Sequence, residues 1–446
     1  MKDYSLSNVL PDSQAQVTRR NFVKNAALST AAIGLAPLVF PSLASAQDAA
    51  GKPKLKVGVV GLGGRGSGAV IDILRADPDT ILWAAGDIFE APMKQISSLQ
   101  KSFSGRVDTD GGKREFIGFD AYQKVIDSGA DIILLTTTPA FRPLHFAAAV
   151  AAGKHVFVEK PFALDIPGLK SIVESAKKAQ ANGQSVLTGL VWRYSPHLME
   201  LHKRIQDGAI GDVLSTSSMY CGGGRPNKMP NMKYKPPTMS DMEWAQRYWQ
   251  NFLELGGDGA LEFMIHGIDR MSWAMNDAMP VKCFANGGNI VPVEGANAWD
   301  NFSMRYEYAD GRSANFFGRQ IPRTFAAGTD DIIGTKGRAF FDGGTASIIV
   351  NGKTTWQTTG DLDYVNEHKI FTQHIRSGKV FNDIIGKFEI THAISIMGRE
   401  AAYTGQLLTD KQLMSSTNLL IETKGMDFNT PFTPRPCAEP GKTKFS

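Results

Sequence analysis

A short apolar run that feeds straight into a glycine-rich turn constrains this chain more than any other feature. Val57, Val59 and Val60 surround Gly58, which predicts a buried parallel strand. Gly61-x-Gly63-x-x-Gly66 follows, with Gly64 and Arg65 inside the turn, and Val70, Ile71, Ile73 and Leu74 then supply the apolar face of a helix. Strand, glycine turn and helix together are the context of a dinucleotide fingerprint. Gly61 can make the tight turn, Gly63 lets the backbone approach a pyrophosphate, and Gly66 lets helix and strand pack closely. The helix N-terminus offers free N–H groups to the phosphates.

A second signal stands at the expected distance. Residues 81–85 read as the next strand, and Asp87 lies 21 residues past Gly66. An acid there accepts from the ribose hydroxyls of NAD and repels a 2′-phosphate, so NAD is favoured over NADP. Arg65 is the residue that could pair with such a phosphate. The alternative for Asp87 is an ordinary turn residue at a strand end.

The first 46 residues read as a targeting segment. Thr18-Arg19-Arg20-Asn21-Phe22-Val23-Lys24 precedes an apolar run over 26–40 and the small-x-small site Ala44-Ser45-Ala46. The paired arginines resemble a twin-arginine signal, with the basic flank of an ordinary secretory signal or an uncleaved anchor as the alternative. The run is short for a transmembrane helix, so no stable membrane insertion is expected. Twin-arginine substrates are exported folded, which places the protein in the periplasm or outside the cell, after contact with the export machinery. A nicotinamide cofactor would then be loaded before export and held through many turnovers.

Residues 1–46 carry a balance of +2, leaving +2 of the chain's +4 for the mature part. No basic run interleaved with aromatics points to nucleic acid, and a small molecule is the expected partner. Cys221, Cys283 and Cys437 are widely separated, and no cluster has metal-ligand spacing, so no metal is expected.

Strand and helix patterns alternate from 55 to 191. Residues 131–136 form a strong strand, and its end, with Thr137 and Pro139, should line the ligand crevice of an open parallel sheet. Residues 155–158 form another strand and deliver Glu159-Lys160-Pro161 to the same edge. Residues 185–191 are a further strand. Beyond 192 the pattern changes. Residues 221–240 have loop composition, 259–275 read as one helix, and several alternating segments follow between 281 and 350. The expected class is α/β: an N-terminal doubly wound Rossmann sheet over 47–192, and an α+β domain over 193–446 built on a large, mostly antiparallel sheet.

Lys160 at a strand's carboxyl end points into the crevice, where partial burial would suit it to proton transfer; the alternative is a surface lysine. Glu262 and His266 are four apart and Asp269 is three further on, so all share one helical face. A carboxylate one turn from a histidine can orient it and tune its basicity; the alternative is a solvated polar stripe. Trp192-Arg193-Tyr194 leaves the first domain, and an aromatic–cation–aromatic trio suits sugar binding or, equally, hinge packing.

Gly153-Lys154-His155-Val156-Phe157-Val158-Glu159-Lys160-Pro161, after the glycine fingerprint, resembles the glucose–fructose oxidoreductase/inositol dehydrogenase (Gfo/Idh/MocA) family over nearly the whole mature chain. The resemblance implies that Lys160 sits beside the nicotinamide and the reacting carbon. It also implies a carboxylate-x-x-x-histidine pair with the histidine at the substrate hydroxyl. Here Glu262 stands where the family has Asp. Members act mostly on sugar and cyclitol hydroxyls, and some use NAD transiently to cleave glycosides. The expected activity is therefore an NAD-dependent oxidoreduction of a sugar or glycoside hydroxyl. A redox-neutral glycosidase or lyase, and a non-catalytic sugar-binding protein, are the rival readings. Homo-oligomers through the exposed face of the second sheet are implied by resemblance alone.

Overall fold

The computed structural model describes residues 53–225 and 229–446; the targeting segment read over 1–46 lies outside them. Strands β1 (Leu55–Val60), β2 (Thr80–Asp87), β3 (Glu115–Ile117), β4 (Ile132–Leu135), β5 (His155–Val158) and β6 (Val186–Thr188) pair in parallel in the order β3-β2-β1-β4-β5-β6. This is the doubly wound order, with its switch point between β1 and β4. The strands are aliphatic on both faces because helices cover both, and Val57, Leu82, Ile133, Leu134, Phe157 and Leu187 are fully buried. The helix Ile166–Ala181 is capped at its start: the Asp165 side chain accepts from Gly168 N at 2.7 Å.

The second sheet has nine strands, mixed but mostly antiparallel: β7 (Val213–Gly222), β8 (Lys282–Gly288), β9 (Asn301–Glu307), β10 (Ser313–Gln320), β11 (Ala327–Gly334), β12 (Arg338–Phe341), β13 (Thr345–Val350), β14 (Lys353–Thr359) and β15 (Leu408–Thr409). Their order is β14-β13-β12-β11-β7-β10-β9-β8-β15, and only β7 and β10 run parallel. One face carries Ala285, Met304, Phe316 and Ile332, buried under the helices Ile265–Ala274 and Glu389–Thr404. The other face exposes Phe284, Phe317 and Ile333.

Three departures from the sequence expectation matter for the site. The strand expected over 185–191 stops at Thr188, and Val191–Tyr194 form a 3-10 turn that crosses to the second sheet. The helix expected over 259–275 is two, Asp258–Glu262 and Ile265–Ala274, broken at Phe263 and Met264. A short helix, Asp241–Arg247, follows the loop-like stretch and was not foreseen. All three cysteines are free.

Candidate active site

The glycine turn is explained by what a side chain would hit. Gly61 has φ +90°, and a Cβ there would lie 2.8 Å from the Thr136 carbonyl carbon and oxygen. A Cβ at Gly66 would lie 1.9 Å from the Gly61 carbonyl oxygen. Around Gly63 and Gly64 a Cβ would meet nothing within 4 Å, which leaves open space in front of the helix Gly64–Ala76. That space is what a pyrophosphate needs. Thr136 Oγ1 donates to the carbonyls of Val60 (3.0 Å) and Gly61 (2.6 Å), tying β4 to the turn.

Asp87 closes the other side. Its Oδ2 accepts from Leu62 N at 2.8 Å, inside the glycine turn, and its Oδ1 accepts from Phe89 N at 2.9 Å. Burial raises its pKa, and these N–H donors offset part of that. Arg65 points away from Asp87. It bonds Asp72 Oδ2 at 2.5 Å, lies 3.3 Å from Glu159 Oε1, and stacks its guanidinium 4.7 Å from the Tyr364 ring. Arg65 is therefore engaged beneath the turn and is not placed to receive a 2′-phosphate. Glu159 is buried, and its Oε2 accepts from Lys160 N at 3.0 Å. The Arg65 and Glu159 side chains pair with each other, and neither is among the groups that line the cleft.

A cavity of about 740 Å³ opens from the glycine turn. Gly61, Gly63, Asp87, Ile88, Phe89, Phe119, Thr136, Thr137 and Thr138 line one wall, and Gln246, Arg247, Tyr248 and Trp249 line the other. Pro139 starts a 3-10 turn beside it, buried. The size and the mix of aromatic and polar side chains suit a nucleotide, and the glycine cradle with Asp87 fits NAD. His145 also lines the cavity. Its Nδ1 is 3.3 Å from Thr137 Oγ1, its ring stacks 4.1 Å from Tyr122, and burial with the Arg142 charge lowers its pKa to about 3.

Lys160 and the Glu262–His266 pair do converge. Lys160 Nζ donates to the Glu262 carbonyl oxygen at 2.6 Å and lies 3.7 Å from Glu262 Oε1. The helix break explains the first contact: the chain turns at Phe263 and Met264, and the Glu262 carbonyl is taken by the lysine. Gln250 Nε2 holds Glu262 Oε1 at 3.1 Å. Burial raises the Glu262 pKa despite the positive charges of Lys160 and Arg142. His266 is half-buried, with its Nδ1 unpartnered and its ring 5.8 Å from Tyr220. Burial first, then the charges of Lys160 and Arg270, push its pKa well below 6.5. The imidazole is neutral at physiological pH and so is able to accept a proton.

Trp192, Arg193, Tyr194 and Asp269 each have partners within the protein. Arg193 is buried and forks between Asp269 (2.7 Å to Oδ1) and Asp277 (2.6 Å to Oδ1). Asp269 also accepts from Thr391 Oγ1 at 2.9 Å, so it does not share the His266 face as a free carboxylate. Tyr194 Oη donates to Asp383 Oδ2 at 2.5 Å. Trp192 packs 5.4 Å from Phe341, with the Arg270 guanidinium 5.0 Å from its ring. These residues form the packing seam between the sheets. The strand that was to present them ends six residues short of Tyr194 and turns them inward.

Sequence reasoning missed the wall from 246 to 249, whose one signal is the aromatic density of Trp244, Tyr248, Trp249 and Phe252 after the polar loop. It also missed Phe119 and Phe141, which carry no motif. Among the described residues no group of His, Cys, Asp and Glu could hold a metal ion, and no helix is long and apolar enough to cross a membrane.

Comparison with known proteins agrees with this geometry. Residues 55–185 match the oxidoreductase family with NAD-binding Rossmann fold, and residues 198–340 match the GFO/IDH/MocA C-terminal domain. The chain is similar to a myo-inositol 2-dehydrogenase of Thermotoga maritima, 22% identical over 351 residues, covering 73% of this chain and 89% of that one. Its fold is similar to levoglucosan dehydrogenase in complex with NADH and L-sorbose (TM-score 0.63, 14% identity, 80% of this chain and 99% of that one). It is also similar to an aldose–aldose oxidoreductase of Caulobacter crescentus complexed with glycerol (TM-score 0.62, 17% identity, 80% and 99%). The two matches lie end to end over more than half of the sequence, and on the fold and the glycine cradle described above the chain belongs to the GFO/IDH/MocA family of NAD-binding oxidoreductases.

Proposed function

We propose that this protein oxidises a hydroxyl group of a small carbohydrate or cyclitol with a tightly held NAD, after export through the twin-arginine route. The observation that carries the reading is the approach of Lys160 to Glu262 four residues from a neutral His266, at the edge where β5 ends. The relatives point the same way: those compared above are named for inositol, anhydrosugar and aldose oxidoreduction.

In this mechanism His266 accepts the hydroxyl proton, because its pKa is low enough to leave it unprotonated. Lys160, fixed by the Glu262 carbonyl and carboxylate, donates to the substrate oxygen and steadies the charge that develops there. Glu262 keeps the lysine aimed at the cleft, and its side chain is itself aimed by Gln250. When bound, NAD supplies the hydride acceptor. Outside the cytoplasm each turnover must then restore the held cofactor, by reducing a second sugar-like carbonyl or by elimination and return of the hydride. The protein forms homo-oligomers through the sheet face that exposes Phe284, Phe317 and Ile333.

The test is the near-ultraviolet absorbance of reduced nicotinamide in protein purified without added cofactor, before and after mixing with a panel of sugars, cyclitols and glycosides. A change on mixing supports a retained, redox-active cofactor and identifies the substrate class. No change with any compound, and no dinucleotide released on denaturation, would sink the reading and favour a non-catalytic sugar-binding protein.

A further inference from the structure

At the Asp87 end of the cleft two wall residues join an aromatic stack that includes the C-terminal tail. Phe89, just after Asp87 on the cleft wall, stacks against Phe428 with ring centres 5.3 Å apart and planes 26° apart. Phe428 also meets Phe119, another wall residue, edge-on at 4.9 Å. From the opposite wall the Arg247 guanidinium covers Phe89 at 4.3 Å, and Glu243 holds that arginine at 2.7 Å. Four chain segments that share no strand therefore meet beside one end of the cleft.

The tail is anchored on both sides of Phe428. Before it, Leu420 N donates to Asp165 Oδ2 at 2.8 Å. After it, Phe432 is buried edge-on against Phe252 at 5.3 Å, and Arg435 N donates to Glu254 Oε1 at 2.6 Å. Asp165 belongs to the Rossmann half, and Phe252 and Glu254 to the other. The two ends of the span also hold each other, Arg435 donating to Asn418 Oδ1 at 3.0 Å and to the Leu420 carbonyl at 3.1 Å, so the span loops out from that base and lays one ring on the loops after β2 and β3. Such loops are the parts of a doubly wound sheet that open most readily.

We infer that residues 420–435 are a strap that sets the rate at which NAD leaves, with Phe428 as its fastening point on Phe89 and Phe119. The strap rests on the retained-cofactor reading for its purpose. Its geometry stands without that reading, because Phe89 and Phe119 line the cleft and Phe428 packs on both. Phe428 touches neither the glycine turn nor Lys160 and His266, so it acts through the loops as a positioning residue.

The experiment loads the full-length protein with NADH, chases it with excess NAD, and follows the fluorescence loss in wild type, Phe428→Ala and Phe428→Tyr. Dinucleotide content as purified is measured alongside. The strap predicts that Phe428→Ala releases NADH about tenfold faster or more, and that Phe428→Tyr, which keeps the stack, stays near wild type. Should the alanine variant fail to fold, Phe428→Leu keeps the apolar bulk without the ring and should still release faster. Equal release rates in wild type and a folded ring-deleted variant would overturn the strap, whatever the cofactor content. Wild type that purifies empty yet releases NADH more slowly than the variant would overturn cofactor retention and leave the strap standing.

Discussion

Lys160 Nζ lies 2.6 Å from the Glu262 carbonyl oxygen, across the seam between the parallel sheet and the second domain. One bond thus joins the end of β5 to a broken helix 102 residues later in the chain. Replacing Lys160 by Met removes both that bond and the ammonium aimed at the cleft. The expected result is a fall in kcat/KM of about 10²–10⁴, with dinucleotide content unchanged. Wild-type turnover in the variant would show that the lysine is only a spacer.

The His266 imidazole is held neutral by burial and by the neighbouring Lys160 and Arg270 charges. The acid limb of the pH profile of kcat/KM should therefore fall below 6.5, the ordinary histidine value. His266→Gln should remove that limb along with most of the activity. A limb at or above 6.5 in the wild type would contradict the assignment of His266 as the base.

His392 tests a different consequence of burial. Its Nδ1 faces the Phe388 carbonyl at 2.8 Å and its Nε2 accepts from Phe162 N at 3.0 Å, which fixes a neutral tautomer two residues after Lys160. Burial lowers its pKa from 6.5 to about 3. Between these values the unfolded chain binds a proton that the folded one does not, so stability falls as pH drops through this window. Relative to His392→Gln, wild type should lose up to about 1.4 kcal/mol per pH unit there, read from urea midpoints. Parallel pH curves would mean that this histidine is protonated in the fold.

Arg193 sits in the seam, paired with two carboxylates. Arg193→Met leaves Asp269 and Asp277 buried without their cation and should cost about 3–5 kcal/mol of stability. KM for the substrate should be unchanged in the folded fraction. A raised KM at unchanged melting temperature would restore the sugar-contact reading.

Asp87 bonds the turn and faces the cleft. Asp87→Ala should weaken NAD binding about tenfold and narrow the preference over NADP, measured by titration with both cofactors. Undiminished discrimination would place cofactor choice elsewhere.

The parallel sheet and glycine turn were legible because both rest on local signals: aliphatic runs, glycines at fixed offsets and an acid at the next strand end. Lys160 and His266 were legible because each follows a short motif. What stayed hidden depends on distant partners. Nothing near Arg193 in the sequence reveals that Asp269, 76 residues on, would take its guanidinium. The break at Phe263 was hidden by an apolar pattern that continues through it at helical spacing. β7 escaped because its run of serines and threonines has no apolar alternation, although it pairs with both β10 and β11 at the centre of the second sheet. The wall from 246 to 249 acts only because it folds back over Phe89.

The three free thiols have a consequence for the order in which this molecule can be made. Cys283 is sealed under the second sheet, where burial pushes its thiol up, and Cys221 and Cys437 are unpaired. No step in completing the described fold waits for an oxidant. Both sheets, the cleft between them and the tail beside its end can all be finished in a reducing compartment.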